Sequence, residues 1–262
     1  MKMSIDKLKE AVNKTGFLAE LEAGRCFLEN NWDVKQNFYY FDSAEKKERE
    51  LDILASLTRP FDNKSSKASI SLFCDVKKIT DNKSWVIFTT ERNQHDQRYD
   101  YSKIVSKFTQ IINSEIVKNT TLSQAKKYPK IGRTYSVISD KGKHEEDQIF
   151  TAIKASTNAL KYYYGIENQI NVTVGQNIRN NIVLKIMEPV IILKGLLYEI
   201  YLDKENKARY EEVKRSIIAY NNICDNVIGE NYLIEIVTID ELDNFLKEKQ
   251  GWLQYLINDI FE

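Results

Sequence analysis

The run Phe73-Cys74-Asp75-Val76-Lys77 closes an apolar stretch, and a second acid stands upstream in Leu51-Asp52-Ile53-Leu54. Side chains alternate along a strand with period two, so a strand here turns Asp75 and Lys77 to one face and Cys74 and Val76 to the other. A carboxylate is thereby set beside an ammonium group. With Asp52 on a neighbouring strand, the set holds two hard oxygen ligands for a divalent cation and a fixed positive charge, which is what phosphodiester hydrolysis requires. A buried salt bridge would satisfy Asp75 and Lys77 but leave Asp52 unexplained; a cation accounts for all three.

The elements that must position these groups follow from periodicity. A helix is expected over 15–31, carrying Glu20 and Glu22. At roughly 100° per residue, Phe17, Leu21, Gly24 and Leu28 gather on one face, which is expected to be buried. Glu20 then lies about 60 to 70° from the centre of that face and Glu22 about 130° away, so Glu20 reaches toward the strands and Glu22 faces solvent. The other use open to Glu20 is pairing with a lysine at the core edge. Strands are expected over 34–40, 50–56, 69–78 and 84–90, then helices over 101–114 and 145–164. Strand patterns return over 182–202, followed by a helix over 210–222 and a strand over 232–237. Thr238-Ile239-Asp240-Glu241 has the Thr-x-x-Glu form of a capping box and predicts a final helix. This order predicts an α/β fold, a mixed sheet covered by helices.

Composition bounds the setting. The chain has 262 residues, 42% of them hydrophobic, enough for a sizeable core, and its nine glycines and three prolines argue against linkers and turn-rich modules. Lysine plus arginine equals aspartate plus glutamate at 38 each, so net charge selects no partner. The three widely spaced cysteines form neither a disulfide framework nor a zinc knuckle, which with the charged first residues favours a cytoplasmic protein. The most apolar stretch, 187–201, is interrupted by Glu188, Lys194 and Glu199, so no membrane span is expected.

Absences narrow the chemistry. Two histidines are too few for a histidine-built nuclease or zinc site, and no phosphate-binding Gly-x-x-x-x-Gly-Lys-Ser/Thr loop is present, so any ATP-driven motor would be a separate subunit. Gly-x-Ser-x-Gly and Gly-x-Gly-x-x-Gly are also missing. Lys103, Lys107, Lys118, Lys126, Lys127, Lys130 and Arg133 stand against Glu115 alone over 101–135, a basic segment suited either to phosphate contact or to a solvated surface.

Gly16-Phe17-Leu18-Ala19-Glu20, Asn31-Trp32-Asp33-Val34, Arg49-Glu50-Leu51-Asp52-Ile53-Leu54-Ala55, Cys74-Asp75-Val76-Lys77 and Ser84-Trp85-Val86-Ile87-Phe88, in this order and spacing, resemble the restriction-endonuclease-like PD-(D/E)xK nucleases. The resemblance spans roughly residues 15–90. Leu51 stands where the motif's proline would, and Asp75 where glutamate is commoner. The resemblance implies a restriction-endonuclease-like core over 1–135, with an α/β portion over 136–262 packed on or completing it. It further implies Glu20, Asp52 and Asp75 as ligands of Mg2+, with Mn2+ able to substitute, and Lys77 as the residue assisting the attacking water. As a base Lys77 would need a strongly lowered pKa; as a positioning cation it would not. The nucleic-acid contacts would come from Lys78, Lys103, Lys107, Lys126, Lys127, Lys130 and Arg133. The expected activity is DNA cleavage, as an endonuclease in genome defence or DNA processing. A catalytically idle nuclease-fold protein that binds nucleic acid or a partner, and an RNA nuclease, are the alternatives. A homodimer would suit symmetric double-strand cutting, though no residue marks one.

Overall fold

The computed structural model describes residues 3–43, 45–60, 67–80, 82–106, 124–142, 144–145, 147–173, 182–222 and 230–261. Two helices open the chain, α1 (Ile5–Asn13) and α2 (Phe17–Glu29), followed by four strands, β1 (Asp33–Asp42), β2 (Lys47–Pro60), β3 (Lys67–Lys78) and β4 (Lys83–Glu91). After a short 3₁₀ turn at Gln94–Arg98 come β5 (Lys103–Ser106), β6 (Lys130–Ser139), β7 (His144–Glu145) and the long helix α3 (Asp147–Thr173). The remainder comprises β8 (Ile182–Lys194), β9 (Leu196–Leu202), β10 (Ala208–Glu212), β11 (Arg215–Asn222), β12 (Glu230–Thr238) and α4 (Leu242–Phe261).

All twelve strands join one mixed sheet, in the order β1-β2-β3-β8-β12-β11-β6-β4-β9-β10, with β5 added beside β8 and β7 beside β6. Within it β3 and β8 form a long parallel pair, running from Lys67 opposite Ile182 to Lys78 opposite Lys194. Both strands are buried on both faces, which is why their sequences read as near-continuous apolar runs. On β3, Ile70, Leu72, Cys74 and Val76 enter the core shared with α2 and α4, whereas Phe73 enters the core beneath α3. The fold is therefore mixed α/β, a large mixed sheet with helices on both faces.

At two expected helices the described residues form strands. Over 101–114 the described part, 101–106, contains β5, antiparallel to β8, and residues 107–114 lie outside the described residues. Over 210–222 the chain instead forms β10 and β11. The adjacent Ile217 and Ile218 are both buried, one in each of two cores, so β11 lacks the polar alternation that distinguishes a half-buried strand from a helix. The capping box also fails to form: Thr238 makes no side-chain cap bond, and Glu241 pairs with Arg215 at 2.8 Å. The final helix is nevertheless present, as α4. Among the described residues, no helix is long and apolar enough to cross a membrane.

Candidate metal and phosphodiester site

The site forms where β2 and β3 separate. Their antiparallel ladder ends with Ile53 opposite Cys74. Beyond it, the Val76 N–H donates to Asp52 Oδ2 at 2.7 Å, so a side chain takes the place of the next ladder partner. The neighbouring strand is interrupted at the same level. Asn37 of β1 has φ of 52°, a left-handed conformation that asparagine tolerates, and its amide donates to Glu50. Asp52 is thereby turned to the end of β3, where Asp75 and Lys77 project.

Asp75 is 3% exposed, and Lys77 Nζ stands 2.5 Å from its Oδ2. The Lys77 ammonium is thus the ion-pair partner of that buried oxygen. Burial pushes the Asp75 carboxyl up to about 6; the Lys77 charge opposes the rise, and the Asp52 charge adds to it. Burial likewise raises Asp52 against the pull of Lys77 and of the Val76 N–H. For Lys77, burial favours the neutral amine, but the charges of Asp75, Asp52 and Glu20 outweigh it and lift the ammonium above its ordinary value. Lys77 is thus held as a cation, which favours electrostatic positioning over proton abstraction.

Glu20 reaches the same site from α2, though not by the face expected. Phe17, Leu21 and Leu28 are 62%, 59% and 61% exposed, and the buried face is Ala19, Ala23, Gly24 and Phe27. Small side chains prevail because the helix lies close against the strands: a Cβ on Gly24 would stand 2.5 Å from Gln36 Nε2. Gln36 in turn donates to the Glu20 carbonyl at 3.2 Å. On this corrected face Glu20 still flanks the core, about 60° from Ala23. It is half-buried, and its carboxyl is raised first by burial and then by the charge of Asp52. Glu22 lies on the solvent side and pairs with Lys194.

As placed, the described residues contain no group of three histidine, cysteine, aspartate or glutamate side chains close enough to hold one metal ion. Asp52 and Asp75 fit a magnesium ion as a carboxylate pair, because that ion retains several waters and needs only one or two protein carboxylates beside substrate phosphate. The sign of such a site is a second carboxylate, Asp52, acting on the buried Asp75, whose other neighbour is the Lys77 ammonium. Glu20 senses both carboxylates and Lys77 electrostatically.

Most of the expected nucleic-acid cations are engaged elsewhere. Lys103 pairs with Asp100 at 2.9 Å and lies over the Tyr232 ring, and Lys127 pairs with Glu235 and Glu248, each at 3.2 Å. Lys130 bridges Glu199 and Glu211 at 3.3 and 3.2 Å. Arg133 grips Asp96 through two bonds of 2.6 and 2.8 Å. Lys78 donates to the Asn13 carbonyl, tying α1 to the site's edge, while Lys126 is exposed and Lys107 lies outside the described residues.

Sequence reasoning missed a buried polar cluster on the α4 side of the sheet. Lys249, 1% exposed, meets Glu188 at 2.6 Å, Glu235 at 2.8 Å, the Tyr101 hydroxyl at 2.6 Å and Gln124 Oε1 at 3.0 Å. Tyr128 donates to the other Glu235 oxygen at 2.6 Å. The available signal was Glu188, an acid inside the most apolar stretch of the chain. No family model, curated protein or solved structure matches this chain.

Proposed function

We propose that this chain is a metal-dependent nuclease that hydrolyses phosphodiester bonds in DNA, an endonuclease of genome defence or DNA processing built on a restriction-endonuclease-like core. The observation that carries the reading is the meeting of Asp52, Asp75 and Lys77 at the parting of β2 and β3. Asp52 and Asp75 would hold Mg2+, or Mn2+ in its place, with Glu20 as the outer carboxylate. When bound, the ion supplies an acidified water and neutralises charge growing on the phosphoryl oxygens. Lys77, kept protonated by its acidic neighbours, orients the water or faces the developing negative charge. Asp52 fixes the end of β3 through the Val76 N–H, so the same carboxylate positions Asp75 as it completes the pair.

The test is incubation of the purified chain with plasmid, single-stranded DNA and RNA, with Mg2+ or EDTA. Magnesium-dependent cutting of DNA that Asp75→Ala abolishes supports the proposal; cutting in EDTA, or full activity in Asp75→Ala, removes the mechanism. Preference for RNA would keep the chemistry and change the substrate. A second reading, an idle nuclease fold that binds nucleic acid or a protein, is favoured by the lack of three convergent ligands among the described residues. Calorimetry separates the two readings: binding of DNA without binding of Mg2+ or Mn2+ selects the second.

A further inference from the structure

A cleft of about 700 Å³ opens at the far ends of β4 and β9, bounded by Thr89 to Arg92, Pro129, Lys130 and the turn from Tyr201 to Lys204. That volume suits a nucleotide-sized molecule. Its walls are braced: the Arg92 N–H donates to the Pro129 carbonyl at 3.0 Å, and Lys130 sits 3.5 Å over the Tyr201 ring while bridging Glu199 and Glu211. Asp203 is also committed, accepting from the backbone N–H groups of Glu205 and Lys207 and pairing with Arg209.

Arg92 Nη1 is closed off from solvent without a hydrogen bond among the described residues, while the Arg92 charge acts on Asp96. Thr89, 5% exposed, has an unpartnered hydroxyl. The Thr90 hydroxyl accepts from Arg133 Nε at 2.9 Å and so retains its own proton to donate. Arg92 and Lys204 both line the cleft, so a ligand oxygen seated there meets two cations. Glu91, the remaining anion of the cleft, faces Arg92 and Lys204 across it.

We infer that this cleft binds a phosphomonoester of nucleotide size, a nucleoside monophosphate, with Arg92 and Lys204 on the phosphate and Tyr201 and Pro129 against the base. A phosphomonoester carries a charge near −2 at neutral pH and three acceptor oxygens, which matches two cations and the Thr90 hydroxyl better than a single carboxylate does. This inference does not rest on the nuclease reading, since the cleft shares no residue with Asp52, Asp75 and Lys77.

Calorimetry with the full chain, without added metal, tests it with AMP, CMP, adenosine and inorganic phosphate as probes. A nucleoside monophosphate is expected to bind more tightly than either adenosine or phosphate. Arg92→Ala combined with Lys204→Ala should weaken it roughly 10- to 100-fold, as loss of charged hydrogen bonds does, while Asp75→Ala leaves it unchanged. Thermal melting of the double variant checks that it folds, and Arg92→Lys, which keeps the charge, should recover part of the affinity. The inference is overturned by absence of nucleotide binding at millimolar concentration, by inorganic phosphate binding as tightly as the nucleotides, or by undiminished binding in a folded double variant.

Discussion

Replacing Lys249 with methionine removes the one cation seated between Glu188 and Glu235, both 2% exposed. Methionine fills similar volume, so the effect is electrostatic: Glu188 is left in the interior without its cation, and Glu235 keeps only Lys127. Breaking such a buried pair costs about 3 to 5 kcal/mol, and Tyr101 and Gln124 lose a shared partner as well. For a chain of this size the loss corresponds to a fall in Tm of roughly 6 to 20 °C, read by circular dichroism or calorimetry at pH 7. In the native protein burial opposes ionisation of Glu235, but Lys249, Lys127 and the Tyr101 hydroxyl prevail and hold its carboxyl below the ordinary value. A depressed carboxylate contributes stability above its unfolded pKa and loses it as pH falls through the folded value. Glu188 is shifted the other way, chiefly by burial, with Lys249 opposing. Without Lys249 both acids should take up protons more readily, so the deficit of Lys249→Met should shrink between pH 7 and pH 5. Adding Glu188→Gln and Glu235→Gln should restore most of the lost stability. A loss below about 1 kcal/mol, or a triple variant no more stable than the single one, would refute the reasoning.

Asp75→Asn should abolish cleavage yet stabilise the metal-free protein at pH 7 by up to about 3 kcal/mol, the linkage value of its roughly two-unit upward shift; urea denaturation measures it. Because the folded pKa lies above the unfolded one, the native carboxyl's penalty is present above pH 6 and relieved as pH falls toward 4, so the advantage of Asp75→Asn should fade over that window. Millimolar Mg2+ should raise the Tm of the unaltered chain, EDTA should reverse the rise, and Asp75→Asn should show neither effect. Lys77→Arg should retain part of the cleavage rate and Lys77→Met almost none, with substrate affinity changed less than turnover; equal loss in both would argue for a role beyond charge. Gly132→Ala should cost about 1 to 3 kcal/mol, because its Cβ would fall 2.5 Å from Ile87 Cγ2 and 3.0 Å from the Ile217 carbonyl where β6 meets β11.

The strands carrying Asp52 and Asp75 were legible because each pairs an apolar run with period-two side-chain placement, and that logic depends on few other residues. The joining of Asp52 to the Val76 N–H was not legible, since it follows from the left-handed turn at Asn37 and the early end of the β2–β3 ladder. Helical periodicity located α2 but chose its face by side-chain size, whereas close packing against β1 selected Ala19, Ala23 and Gly24. The same rule misread β11, where two cores claim adjacent isoleucines. The buried cluster around Lys249 gathers Tyr101, Gln124, Glu188 and Glu235, residues that the fold brings together from distant parts of the chain, and no local pattern announces such a meeting.

The parallel pairing of β3 with β8 also governs how the chain must be made. Ile70 lies beside Ile186, so during synthesis β3 waits, with its backbone donors and acceptors uncovered on that side, until β8 has left the ribosome. A fragment ending near residue 135 would hold Asp52 and Asp75 yet expose the edge on which Asp75 rests, and it should aggregate rather than act as a small independent enzyme.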